Sequence, residues 1–192
     1  MIARITAFSS LLLSAAATAQ TAQPPATTPP AQPTAPPACA TPEYRQLDYW
    51  VGYWDVYRTG TEQLVAHSLI ERRYNGCAIR ENWIPRNSQG GGSFSAWRPE
   101  SRTWRQTWVD SSGSWVEFSG GAVNGAMELT GPWAGSGPNG EPGVVRMRYD
   151  RGENGAVRQH GQVSIDNGRT WTPSFDFTYR PSTAAPPVSP GS

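Results

Sequence analysis

Tyr49-Trp50-Val51-Gly52-Tyr53-Trp54-Asp55-Val56-Tyr57 places a glycine two residues before a tryptophan, at the start of a segment with alternating apolar positions. A small closed barrel needs a large side chain to plug its narrow end, and a glycine just ahead of that plug lets the chain pass close to it. Tryptophan recurs at alternating spacing further on, as in Trp104-Arg105-Gln106-Thr107-Trp108. Together these predict a small antiparallel β-barrel.

Outward from that stretch, a short helix is expected over 43–50. Ten short strands follow, over 52–58, 63–71, 77–84, 93–99, 103–109, 114–119, 126–131, 144–150, 157–165 and 171–180. Thr59-Gly60, Asn75-Gly76, Asn124-Gly125, Asn167-Gly168 and the run 110–113 supply the turns, because Asn, Asp and Gly tolerate positive backbone angles. With every connection short, the chain reads as an all-β, single up-and-down antiparallel barrel of about ten strands. Closure removes the exposed edges that an open sheet would leave. Two longer loops, 85–92 and 132–143, would rim one end.

The ends of the chain differ in composition from this core. Residues 1–19 hold one basic residue, Arg4, then a leucine-rich stretch and Ala17-Thr18-Ala19, a small-x-small pattern that reads as a cleaved export signal. Residues 20–42 are Pro, Ala, Thr and Gln, with no side chain that could offset the entropy of ordering, and read as a disordered linker. Residues 181–192 repeat that composition as a tail, leaving 43–180 as one domain that contains all nine Trp and all seven Tyr. No segment reaches the roughly 20 apolar residues of a spanning helix. A soluble periplasmic or secreted protein is the expectation.

All 16 basic residues are Arg; once Arg4 leaves with the signal, the rest balance 15 Asp and Glu. Neutrality without a basic run argues against nucleic acid or an anionic membrane as partner. The absence of lysine excludes Schiff-base chemistry. The two cysteines, Cys39 and Cys77, form an even pair in a chain that reads as exported, which favours a disulfide tying the linker's end to the barrel. The alternative is two free thiols. A metal pair would have only His67 and His160 to join it, so no metal site or cofactor is expected.

Period-two alternation sorts side chains into faces. Trp104, Gln106 and Trp108 share one face, as do Ile79, Glu81 and Trp83, and Phe175, Phe177 and Tyr179. The aromatic faces are the interior candidates, which puts Glu81 and Gln106 inside, where a carboxylate or amide requires a partner. An internal Arg, an internal polar network or a ligand could each supply it.

Ser164-Ile165-Asp166-Asn167-Gly168-Arg169-Thr170-Trp171 resembles the Asp-box hairpin of sialidase-type propellers, in which Asp folds back on its own turn and Trp packs beneath it. A propeller would repeat it; a single copy reads as the turn between the last two strands. Trp54 and Arg180 resemble the lipocalin arrangement of a Gly-x-Trp on the first strand and an Arg after the last. That resemblance implies a structural contact between guanidinium and indole, with Gly52 making room. The core as a whole resembles an uncharacterised bacterial family with a lipocalin-like (calycin) fold. This rests on the segment 47–56, on 76–83, on 104–111, and on the Asp-box hairpin running into Phe175-Asp176. The family implies the fold and no activity.

The leading functional expectation is a noncatalytic binder of a small apolar or amphipathic molecule. Trp83, Trp104, Trp108, Phe175 and Phe177 would hold it, and Glu81 and Gln106 would orient it. A filled barrel serving as an envelope structural or interaction module is the alternative. Haem held by His160 is a third reading, by resemblance to the ten-stranded nitrobindins, which use a histidine near the chain end. A fourth is an enzyme using Glu81 as base, although His67 and Ser68, as strand neighbours, fall on opposite faces.

Overall fold

The computed structural model describes residues 38–86 and 90–186; the expected signal, most of the expected linker and the end of the tail lie outside them. Ten strands follow one another: β1 (Gly52–Arg58), β2 (Leu64–Arg73), β3 (Ala78–Pro85), β4 (Gly91–Arg98), β5 (Thr103–Asp110), β6 (Trp115–Val123), β7 (Ala126–Trp133), β8 (Gly143–Arg151), β9 (Val157–Ser164) and β10 (Thr172–Pro181). Each pairs antiparallel with its sequence neighbours, and β1 pairs with β10, so the sheet closes into a barrel with no free edge. The strand closing the barrel runs one residue into the expected tail, since Pro181 pairs with Trp54.

β6 is longer than the sequence suggests. The expected strand ends at 119, yet β6 runs on through Gly120-Gly121 to Val123. At Gly120 a Cβ would meet the carbonyl oxygen of Glu128 on β7 at 2.0 Å, so this glycine serves close approach of two backbones rather than a turn.

The short helical segment expected before β1 is present as two consecutive 3-10 turns, Pro42–Arg45 and Asp48–Trp50. They plug one end of the barrel. Leu47 and Trp50 are fully buried there, and the Trp54 indole donates to the Trp50 carbonyl at 2.9 Å. The Tyr49 hydroxyl donates to the Tyr149 carbonyl at 2.7 Å and accepts from the Met127 amide at 3.1 Å. Asp48 pairs with Arg72, and Arg45 donates to the Gly76 carbonyl. Cys39 and Cys77 are bonded, with Cα atoms 5.0 Å apart, and so fasten the segment leading into the plug to the loop between β2 and β3. Gly52 works as its sequence context suggests: a Cβ there would crowd the Trp54 indole at 3.2 Å.

The contact expected between Trp54 and Arg180 does not form. Trp54 pairs with Pro181 and Asp55 with Arg180, so alternation turns Trp54 inward and Arg180 outward. Trp54 packs instead against Tyr179, with ring centroids 6.2 Å apart. Arg180 lies over Tyr57 at 4.4 Å and forms a two-pronged pair with Glu62 at 2.8 and 2.9 Å.

The connections β1–β2, β3–β4, β5–β6, β7–β8 and β9–β10 all fall at the end opposite the plug, because the strands alternate in direction. Both longer loops lie there. So does the Asp-box turn, where Asp166 accepts from the Thr170 hydroxyl at 2.6 Å, the Thr170 amide at 2.8 Å and the Ser164 hydroxyl at 2.7 Å. Those donors, the Thr170 hydroxyl first, hold the Asp166 carboxyl down to about 2. Trp171 donates to the Gly168 carbonyl at 3.1 Å and lies under the Arg146 guanidinium at 4.3 Å, on the outside of the barrel.

Candidate ligand cavity

A cavity of about 300 Å³ occupies the half of the barrel away from the plug. Its wall is aromatic: Trp83 from β3, Trp108 from β5, Phe118 from β6, Trp133 from β7, and Phe175 and Phe177 from β10. Phe175 and Phe177 stack at 5.6 Å, Trp83 tilts against Phe177 at 5.7 Å, and Phe118 meets Trp133 edge-on at 6.1 Å. Two glycines make this possible. A Cβ at Gly161 would sit 2.3 Å from the Phe175 ring, and one at Gly91 would sit 2.7 Å from the Trp108 ring. The Trp108 indole is steered by a bond to Asp110 at 3.0 Å.

The floor is polar, and it is built where interior strand positions carry Glu, Gln, Tyr and Ser in place of aliphatic residues. Glu81 is 5% exposed, and its two carboxyl oxygens accept from Ser68 Oγ at 3.1 Å and Ser93 Oγ at 3.0 Å. The Tyr179 hydroxyl donates to Gln159 Oε1 at 2.6 Å, and Gln159 Nε2 donates to the Tyr149 hydroxyl at 3.0 Å. Gln106 Nε2 donates to Ser95 Oγ at 2.9 Å and reaches the Tyr149 hydroxyl at 3.4 Å. Among the described residues, the only acceptor of the Tyr149 hydroxyl is the Met147 sulfur, at 3.7 Å, a weak one.

Among the described residues, no arginine or other cation lines this cavity. The internal Arg that could have neutralised Glu81 is therefore not its partner; two serines donate to it, and the Tyr179 phenol lies beside it. Burial pushes the Glu81 carboxyl up to about 7, against the pull of those hydroxyl donors. Burial also raises the phenols of Tyr149 and Tyr179, and the Glu81 charge adds to it.

Glu81, Trp83, Gln106, Trp108, Phe175 and Phe177 thus come together around one void. Trp104 does not. It faces inward but lies below the floor, fully buried, with its indole donating to Gln46 Oε1 at 3.0 Å in the plug. His160 is not in the lumen: alternation on β9 turns Gln159 and Gly161 inward, and His160 meets Asp150 on the outer wall at 3.1 Å. It cannot carry haem inside the barrel. His67 likewise sits on the outer wall, 2.8 Å from Asp55, while Ser68 faces in, so no Ser–His pair exists here.

Sequence reasoning missed Tyr149, Gln159, Met147, Phe118 and Trp133 as cavity residues. Their signal was the same alternation: Val145, Met147 and Tyr149 share a face of β8, and Gln159 shares one with Val157 and Gly161. Tyr179 was legible as a member of the Phe175 and Phe177 face.

Fold and site together define a closed ten-stranded barrel with a plugged end and an aromatic cavity over a polar floor. No family model matches the chain, and no curated protein matches it in sequence. Among the described residues no helix is long and apolar enough to cross a membrane.

Proposed function

We infer that the protein is an exported, lipocalin-like, noncatalytic binder that holds a small apolar or amphipathic molecule in the open half of the barrel. The observation that carries this reading is the aromatic-lined void of about 300 Å³ above a satisfied polar floor. That volume lies at the lower end of small-molecule pockets, so the ligand is compact. A barrel acting only as a structural module would gain stability by filling this space, since each missing contact forfeits dispersion energy. The Cys39–Cys77 bond supports an oxidising compartment.

The test is titration of purified protein with 4-phenylbutan-1-ol, followed by tryptophan fluorescence and calorimetry. Saturable quenching is expected. Trp83→Ala and Trp108→Ala should each weaken binding by about tenfold, equivalent to about 1.4 kcal/mol. Arg105→Ala should leave it unchanged, because Arg105 is half-exposed on the outer wall beside Glu117. Absence of binding by this probe and by its amine and carboxylate counterparts, or equal losses from all three variants, overturns the reading.

A further inference from the structure

The hydrogen-bond inventory of the cavity floor is lopsided. Ser68 and Ser93 both direct their hydroxyls at Glu81. The Tyr179 hydroxyl is engaged by Gln159 Oε1, and Gln159 Nε2 by Tyr149 and Met147. Gln106 Nε2 is divided between Ser95 and Tyr149, which leaves its Oε1 without a partner among the described residues. What the floor still has to offer a ligand is mainly acceptors, the remaining lone pairs of the Glu81 carboxylate and Gln106 Oε1; the Tyr149 oxygen already accepts from Gln159 and Gln106, and its proton meets only the weak Met147 sulfur.

The charge balance points the same way. Among the described residues, Glu81 is the one carboxyl lining the cavity, and no Arg or His lines it. The titratable groups beside Glu81 are the phenols of Tyr179 from β10 and Tyr149 from β8; β2, β4, β5 and β9 contribute Ser68, Ser93, Gln106 and Gln159, which carry no charge. An anionic head group would meet a carboxylate with no cation to offset it. An alcohol would use only part of the acceptor set. A protonated amine supplies both the donors and the charge, and the π faces of the surrounding indoles and phenyl rings favour a cation on its way in.

We propose that the ligand is a compact hydrophobic amine, its ammonium group seated on Glu81 with Gln106 Oε1 as a further acceptor and its apolar body among Trp83, Trp108 and Phe177. This rests on the binder reading above and adds the chemical class of the ligand. Binding draws Glu81 into its charged form, so a proton leaves the carboxyl when the ammonium arrives at a pH below about 7. Protons and charge then balance: the neutral acid and the ammonium become an ion pair plus one released proton.

The experiment compares three probes of one shape at pH 7.5: 4-phenylbutylamine, 4-phenylbutan-1-ol and 4-phenylbutanoate. The amine should bind at least about tenfold more tightly than the alcohol, and the carboxylate most weakly. In Glu81→Gln the amine-to-alcohol ratio should fall to about one, and Gln106→Leu should lower it in part. Independently of either variant, calorimetry of the unaltered protein at pH 6 in buffers of different ionisation enthalpy should show proton release with the amine and none with the alcohol. If the alcohol or carboxylate binds as tightly as the amine, or if the amine binds without releasing a proton, the ligand class is overturned while the binder reading stands. If none of the three binds, both fall.

Discussion

The phenyl ring of Phe175 lies flat on Gly161 of the neighbouring strand, so close that a methyl group at residue 161 would sit 2.3 Å from the nearest ring carbon. The two are directly paired in register, just past a bulge between Pro173 and Phe175. This contact holds the ring against the wall and keeps the cavity open. At Gly120 the equivalent methyl would strike a backbone carbonyl, that of Glu128, at 2.0 Å.

The two glycines should therefore respond differently to alanine. In Gly161→Ala the obstacle is a side chain with free volume beside it, so Phe175 swings into the void. Stability should drop by only about 1 kcal/mol while probe binding is lost. In Gly120→Ala the obstacle is the ladder between β6 and β7, which cannot move aside, and a loss of about 3 kcal/mol or more is expected. Urea unfolding with a parallel binding titration separates the two. Equal stability losses would contradict the account of Phe175.

Glu81 should make the protein more stable in mild acid than in mild base. Its folded-state value of about 7 lies above the ordinary 4.5, so between those values the native protein binds more protons than the unfolded chain. Unfolding free energy then falls as pH rises from about 4.5 to 7 and levels off above. The full span is about 3 kcal/mol by linkage. Glu81→Gln keeps an amide that Ser68 and Ser93 can hydrogen-bond and removes the titration. Urea midpoints at pH 5 and pH 8 should thus differ more in the unaltered protein than in Glu81→Gln, and the difference between the two proteins cancels every other titrating group. A variant as pH-sensitive as the parent would refute this.

The Cys39–Cys77 bond should stabilise the barrel through its plug. Replacing both residues by serine removes the cross-link between the segment entering the plug and the β2–β3 loop, a change worth about 4 kcal/mol on the chain-entropy model. The barrel should still fold, since β1 to β10 close without it, but the plug should open first. Hydrogen exchange at Trp50 and Val51 should quicken more than at Leu129 in the far wall. Uniform acceleration would mean that plug and barrel unfold as one unit.

Alternation carried most of the site. On β3 and β5 the interior face could be read directly, because Trp83 and Trp108 sit two residues from Glu81 and Gln106. On β8 and β9 it could not be read as a site: Met147, Tyr149 and Gln159 look like ordinary strand residues until the barrel brings them opposite Glu81. Trp104 shows the opposite limit. Period two identifies the face a side chain occupies and says nothing of its height along the barrel axis, and Trp104 proved to lie beneath the floor, bonded to Gln46.

The amino-acid sequence by itself determined the strand count, the hairpin order and the closed barrel, and favoured the pairing of its two cysteines, because turn chemistry, period-two patterning and an even cysteine pair are local or compositional properties. Only the tertiary structure decided that Arg180 turns away from Trp54, that His160 faces out, and that Glu81 is held by two serines, with no arginine beside it among the described residues. Those depend on the register between strands distant in sequence, where a shift of one residue exchanges inside for outside. Whether the lumen is hollow was decided there too: the void exists because Gly161 and Gly91 let Phe175 and Trp108 lie flat against the wall, a contact that no single strand contains.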